Sequence, residues 1–426
     1  MDVVDIKEVG QGTGHSVDSR PCFRDLTHTG RPKGTLENYR ALLAFYSIDC
    51  RFNVITKEME ILFPGKQFQH DNALNSQLAH VRSLAARHDV PDKNLDAYVL
   101  AIAAESPHNP ILQWVESRAW DGQDRLQAVF DSLEVVKEDV PWRNVILLRW
   151  LMCSIGLLFN ERGDLSAEGV LVLQGKQGVG KTRWLQQMGG GMVNDYVASG
   201  LTLNPSNRDS VMTATANWMV ELGELDGTFA KSELAHLKAF LTAGQDRFRR
   251  PYAKADNCYP RRTTFFASVN DPHFLADPTG NRRFWCLSVR CCHVVELDWQ
   301  QVWAQVLSLL LDQQADGIAH PWRLSAEEQA ELTERNAKYM LTDTVQDALI
   351  EAFGGQAESS QFIDASARDI CNLLSLPEKM AIKVGKALSS MGFEQTRSAS
   401  RRWRLPYPRG VTAQQLRHLK IKTVSA

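Results

Sequence analysis

The sequence predicts an α/β core, and three observations carry that expectation. Five short apolar runs (Val170–Gln174, Met192–Ala198, Trp218–Glu221, Thr263–Val269 and Phe284–Val289) alternate with helical stretches. Strands separated by helices favour a parallel sheet covered on both faces. Directly after the first run comes Gly175-Lys176-Gln177-Gly178-Val179-Gly180-Lys181-Thr182, a glycine-rich turn into a helix. The composition, 44% hydrophobic and 23% charged in 426 residues, is that of a globular chain of roughly two to three domains.

Residues 1–35 are rich in Gly, Ser, Thr and charge and read as a flexible arm. Over 36–140 the pattern is mainly helical. Ala41–Ile48, Leu78–Ala86 and Leu95–Ala103 carry apolar residues at helical spacing, the last behind the start signal Pro91-Asp92. Arg51–Leu62 alternates as a hairpin would. No Asp-x-Asp pair follows an apolar strand there, as two-metal polymerase or primase chemistry would want. Val145–Phe159 is the most apolar segment, interrupted by Arg149. It reads as a buried helix, too short for the roughly 20 residues of a membrane span.

The core is expected over 141–325, with Asp298 opening a helix through Leu311. Ser325–Glu328 has capping-box spacing and starts a linking helix over 326–342. Residues 343–410 read as three helices and a basic ribbon: Thr344–Phe353, Ala365–Leu374, Glu378–Met391 and Phe393–Leu405. That order suggests a winged-helix-like domain, followed by a basic tail over 411–426.

The polar, acidic N-terminus lacks the apolar stretch of a signal peptide. Eight cysteines are scattered without CxxC spacing, which suits a reducing, cytoplasmic setting with no membrane partner. The cluster Cys286, Cys291, Cys292, His293 fits no usual zinc spacing, and Cys286 belongs to an apolar run. A net charge of −2 leaves nucleic-acid binding to local patches.

The octapeptide fits a triphosphate cradle. Gly175, Gly178 and Gly180 would let the loop curl so that N–H groups, with those of Lys176, Gln177 and Val179, face phosphates at a helix N-terminus. Lys181 would reach the β and γ phosphates of ATP, and Thr182 would bind Mg²⁺. A second apolar strand ends in Glu221, with Glu224 close behind. Glu221 would hold Mg²⁺ through water and Glu224 would polarise the attacking water, in roles that could be exchanged. Asn270 ends a third strand, at the ligand edge of such a sheet, where it could orient the water or sense the γ-phosphate. Arg282 and Arg283 are expected to open a strand. Their side chains would then point to opposite faces, one toward nucleotide and the other toward a subunit interface.

Between the acidic and Asn strands, Asp246–Arg262 holds six cations against two acids, interleaved with Phe248, Tyr252 and Tyr259. Cations with aromatics suit a single-stranded DNA channel. After Gln395 come Arg397, Arg401, Arg402, Arg404, Arg409, Arg417, Lys420 and Lys422 with no acid.

The stretches GKQGVGKT, WMVELGELD, LKAFLTAGQDRFRRPYAK, YPRRTTFFASVN and DPTGNRRFW resemble the virulence-associated protein E family of prophages and mobile elements. The likeness is strongest over about 140–320. The family looks like superfamily 3 helicases, AAA+-like P-loop ATPases that form rings. The resemblance implies Lys181 and Thr182 as Walker A, Glu221 and Glu224 as Walker B, and Asn270 as sensor 1. Arg282 and Arg283 fall in the arginine-finger region. Lys238 to Lys254 falls where a DNA-contacting element is placed, so Lys238, Arg247, Arg249, Arg250 and Lys254 would bind the strand. The acids stand as Glu-x-x-Glu rather than adjacent, which leaves their roles unassigned. The resemblance implies a hexameric homo-oligomer acting in replication, with a primase or other replication protein as partner. Two rivals remain: an AAA+-type protein remodeller, which predicts no stimulation by DNA, and a nucleotide-switched initiator or regulator, which predicts tight duplex binding with turnover dispensable.

Overall fold

The structure, a computed structural model, describes residues 20–68, 70–223, 231–249, 255–275, 281–340, 344–354, 361–396 and 401–425. These fall into two compact units. The first holds the described residues up to 272 together with 281–337, and the second holds 273–275 and those from 338 on.

The first unit opens with α1 (Leu36–Phe45), the antiparallel hairpin β1 (Asp49–Asn53) and β2 (Glu58–Leu62), α2 (Ala73–Arg87) and α3 (Leu95–Ala104). Tyr39, Leu42, Val81, Val99 and Ala103 form a small core of their own. Residues 20–35, expected as part of a loose arm, are pinned by buried Asn38. Its Oδ1 accepts from the Arg24 and Asp25 amides at 3.1 and 3.2 Å, and its Nδ2 donates to the Asp25 and Lys33 carbonyls. Residues 1–19 lie outside the described residues. Side chains from Ile111 to Val135 pack into the core around the central sheet.

Helix α4 (Val140–Gly156) is part of a helical stretch, Lys137–Phe159, of 23 residues. This corrects the expectation from Val145–Phe159: the stretch is long and apolar enough to cross a bilayer, and burial, not length, sets it apart. Of its most apolar window, 72% is buried inside the protein. Trp150 shows why, since its indole N–H donates to the Phe265 carbonyl at 2.9 Å inside the core.

The central sheet comprises β3 (Val170–Gln174), β4 (Val197–Leu201), β5 (Met219–Leu222), β8 (Thr264–Val269) and β9 (Phe284–Ser288). They are all parallel, in the order β9-β3-β8-β5-β4. The intervening elements are α5 (Lys181–Gln186), α6 (Arg208–Thr215), α7 (Lys231–Leu241) and the hairpin β6 (Gln245–Phe248) and β7 (Asn257–Pro260). Near-continuous apolar runs are what two-sided burial of a parallel sheet requires; Val170 to Leu173 are each 0% exposed. One strand shifts. The run Met192–Ala198 becomes a short 3-10 turn at Asn194–Tyr196 before β4, and Met192 is exposed.

Helix α8 (Trp299–Ala315) starts at the Asp298 cap and continues past Leu311. Its buried Gln300, Gln301 and Gln305 bond backbone groups of residues 115–125. Helix α9 (Ala326–Asn336) shows the expected Ser325–Glu328 capping box.

The second unit contains α10 (Thr344–Phe353), β10 (Gln361–Ser366), α11 (Ala367–Leu373), α12 (Ala381–Ser390), β11 (Gln395–Thr396), β12 (Arg402–Pro406), α13 (Ala413–His418) and β13 (Lys422–Ser425). Its antiparallel sheet runs β11-β12-β10-β13. Two corrections follow. The helix expected from Ala365 begins after a strand, because Ile363 and Ala365 alternate into the core while Ser366 caps α11. The expected basic tail is ordered structure: Leu416 and Ile421 enter the core, and β13 pairs with β10.

Candidate active site

The parallel sheet forces the ends of β3, β5 and β8 to one edge, and the loop 175–180 leaves β3 there to enter α5. Gly178 and Gly180 take φ of 85° and 94°, left-handed values open to glycine at no steric cost. A Cβ at Gly175 or Gly180 would come within 2.6 Å of the Val289 or Cys292 carbonyl. The chain after β9 thus braces the loop, and the Cys292 amide also donates to the Val179 carbonyl at 2.8 Å.

Lys181, 7% exposed, turns back into the loop. Its Nζ donates to the Gly175 carbonyl at 2.6 Å, the Lys176 carbonyl at 3.1 Å and Asn270 Oδ1 at 3.0 Å. Gln174 steadies the same amide residue, donating to the Asn270 carbonyl at 3.3 Å while accepting from the Ser288 hydroxyl at 3.0 Å. Beside this, the Thr182 hydroxyl donates to Glu221 Oε1 at 2.8 Å, and the Ser268 hydroxyl donates to the same oxygen at 2.7 Å. Glu221 is 2% exposed. Its other oxygen, Oε2, is buried without a hydrogen-bond partner among the described residues. Lys181, Thr182, Glu221 and Asn270, singled out from the sequence, therefore meet at one edge. Glu224 lies outside the described residues.

Ser268, Gln174 and Ser288 were missed. A signal existed for Ser268: it stands two residues before Asn270 on a strand, hence on the same face.

The arginines require a correction. Arg282 and Arg283 do not open a strand. They sit in a 3-10 turn, Asn281–Arg283, ahead of β9. Phe284 pairs with Val170, the first residue of β3. The pair therefore lies at the amino edge of the sheet, one strand length from its own loop, about 16 Å at about 3.3 Å per residue. Arg282 is exposed. Arg283 Nε is buried with no partner among the described residues.

The basic segment also divides. Arg247 and Arg249 are exposed at hairpin β6–β7, and Arg247 donates to Cys258 Sγ at 3.4 Å. Arg250 and Lys254 lie outside the described residues, as does Tyr252. Arg261 is 1% exposed, forms a buried ion pair with Asp246, and lies 4.0 Å over the Phe240 ring. Arg262 is buried too, and desolvation holds its pKa below the ordinary arginine value. Phe248 is 3% exposed and stacks on Tyr259, so it presents no free face to a base. Lys238 is 6% exposed. It sits three residues before buried Leu241, on the stripe of α7 that faces the core. In the second unit Arg402 pairs with Asp364 and Asp369, and Arg404 lies over Phe362. Arg397 lies outside the described residues.

Cys286 is core in β9, 1% exposed, as expected. Burial pushes the Cys292 thiol up to about 12.

Fold and site together define a parallel α/β protein with a glycine-rich loop and a polar cluster at the carboxyl edge of its sheet. A profile of the Virulence-associated protein E-like domain matches residues 115–341. That is more than half of the chain, which belongs to this family. Among solved structures, the chain is similar to three of the NrS-1 C terminal region, at 13%, 11% and 12% identity. Each alignment covers 87% of this chain and 98% of that one, with a TM-score of 0.38. A search of curated proteins finds no match.

Proposed function

We propose that this chain is an ATP-dependent DNA helicase or translocase that works as a homo-oligomeric ring in replication of a phage or mobile element. One observation carries the nucleotide part of this reading. Beside one glycine-rich loop, the Lys181 ammonium bonds the Asn270 amide oxygen and the Thr182 hydroxyl bonds the Glu221 carboxylate, two pairs on consecutive residues of the helix that follows the loop.

The residues present fit Mg²⁺ and ATP. Loop N–H groups and Lys181 would take phosphate oxygens. Thr182 and Glu221 would hold the metal, since a hard cation seeks oxygen ligands and Glu221 offers a buried oxygen with no described partner. Bound Mg²⁺ would neutralise charge on the phosphates. Asn270 would orient the attacking water, with Glu224 polarising it.

Arg282 and Arg283 lie too far from their own loop to act there, so one of them would complete the neighbour's site in a ring, hexameric by resemblance. Arg247 and Arg249, with Arg250 and Lys254, would hold single-stranded DNA. A primase or other replication protein would supply priming. In the second unit, the order α10, β10, α11, α12, β11, β12 is compatible with a winged helix, a module that would suit a second DNA contact. The sheet order β9-β3-β8-β5-β4 is compatible with an AAA+-like core.

The test is hydrolysis by the full chain with and without single-stranded DNA, at varied Mg²⁺. Magnesium-dependent turnover that rises with the strand is expected. Turnover indifferent to DNA would favour protein remodelling. Tight duplex binding that persists in Glu221→Gln would favour a nucleotide-switched initiator.

A further inference from the structure

Glu221 is held in an unusual way. Both hydroxyl donors that reach it, Thr182 at 2.8 Å and Ser268 at 2.7 Å, land on Oε1, while Oε2 has no partner among the described residues. A hydroxyl carries one proton and two lone pairs. Ser268 therefore gives its only proton to the carboxylate. A buried carboxylate oxygen left unmatched is costly, so such a place persists where something else fills it.

We propose that Ser268 is a positioning residue. Its hydroxyl pins Glu221 through Oε1 so that Oε2 stays turned toward the metal, and it thereby sets the affinity of the site for magnesium–nucleotide. This rests on the nucleotide reading above. The fold explains how Ser268 comes to do so. β8 lies beside β5, with Phe266 opposite Glu221 and Ala267 opposite Leu222. Ser268 is thus one step closer to the ligand edge than the end of β5, within reach of a Glu side chain extended along the strand. Asn270 directly follows β8, two residues after Ser268, so extending the alternation of the strand by one residue brings both to the same side. The end of β8 and the residue after it thus supply a hydroxyl to Glu221 and an amide oxygen to Lys181. With two donors fixing Oε1, rotation of the carboxylate that would swing Oε2 away must break both bonds.

The experiment is a titration of the full chain with a fluorescent ATP analogue, in EDTA and at increasing Mg²⁺, for wild type and for Ser268→Ala, Ser268→Thr and Ser268→Val. Ser268→Thr keeps the hydroxyl, and Ser268→Val matches its shape without it. Hydrogen bonds to charged groups carry a net effect of roughly ten-fold or more. The magnesium-dependent gain in analogue affinity should therefore fall by roughly ten-fold in Ser268→Ala and Ser268→Val. It should be retained in Ser268→Thr, with binding in EDTA equal in all four. If Ser268→Ala or Ser268→Val keeps the wild-type magnesium gain, the positioning role is wrong while the nucleotide site stands. Equal weakening with and without Mg²⁺ also overturns it, by showing a packing effect. Wild type that binds no analogue under any condition overturns the nucleotide reading itself.

Discussion

The two edges of the central sheet are built differently. At the carboxyl edge Lys181 bonds Asn270, and Thr182 and Ser268 both bond Glu221, joining the start of α5 to the ends of β5 and β8. At the amino edge, where the chain enters β8 and β9, arginines gather: Arg261 and Arg262 before β8, Arg282 and Arg283 before β9. The carboxyl edge offers two buried charged groups, Lys181 and Glu221, each hydrogen-bonded, with one carboxylate oxygen left without a partner among the described residues. The amino edge offers cations, some locked and some exposed. Asn160 shows how firmly this edge is tied, since its buried amide donates to the Leu165, Gly244 and Arg261 carbonyls, at 3.0, 2.9 and 3.0 Å. In the proposed ring the carboxyl edge would bind the nucleotide and the amino edge would present an arginine to the next subunit.

The sharpest way to break this comparison is Lys181→Ala. Hydrolysis should fall by about 10³-fold or more, the scale of losing a donor aimed at developing charge, with thermal unfolding unchanged. Hydrolysis at the wild-type rate would remove the carboxyl edge from the chemistry.

Next come Arg282→Ala and Arg283→Ala. The residue that acts as a finger should cost about 10³-fold in turnover and leave nucleotide binding intact. Mixed with Lys181→Ala subunits, it should recover part of its activity, because some interfaces then pair a good loop with a good arginine. Recovery with neither variant, when subunits demonstrably exchange, would give the amino edge a purely structural role.

Arg261→Ala separates locked cations from available ones. Leaving Asp246 buried without its partner should cost about 3 kcal/mol of stability, measured by denaturant unfolding. If stability holds and DNA binding falls instead, Arg261 belongs with the DNA ligands.

The smallest effect is expected for Arg247→Ala with Arg249→Ala. DNA affinity should weaken for all sequences alike. The slope of log affinity against log salt should flatten by roughly 0.7 for each lost contact to a single strand. An unchanged slope would move the strand to another surface, the second unit first.

How much of this was legible differs between the edges. Apolar runs and glycines mark β3, β5, β8 and β9 because a parallel sheet buried on both faces demands them, and they gave Lys181, Thr182, Glu221 and Asn270. At the amino edge the same reading took Arg261 and Arg262 for available cations, as it did Lys238 on α7, and all three are buried. A cation that pays for burial with a partner such as Asp246 looks the same in sequence as one facing solvent. The extra strands β10 and β13 were hidden for a related reason: both are short, only Ile363 and Ala365 of β10 reach the core, and the one apolar residue of β13, Val424, is exposed.

By itself, then, the sequence determined the α/β core, the glycine turn and which side chains end its strands, since these follow from local conformational needs and burial pattern. Only the tertiary structure decided that Ser268 shares an oxygen of Glu221 with Thr182, and that Arg282 and Arg283 stand one strand length from their own loop. Those facts depend on strand order and register, set by packing between segments up to about a hundred residues apart, which no local pattern records.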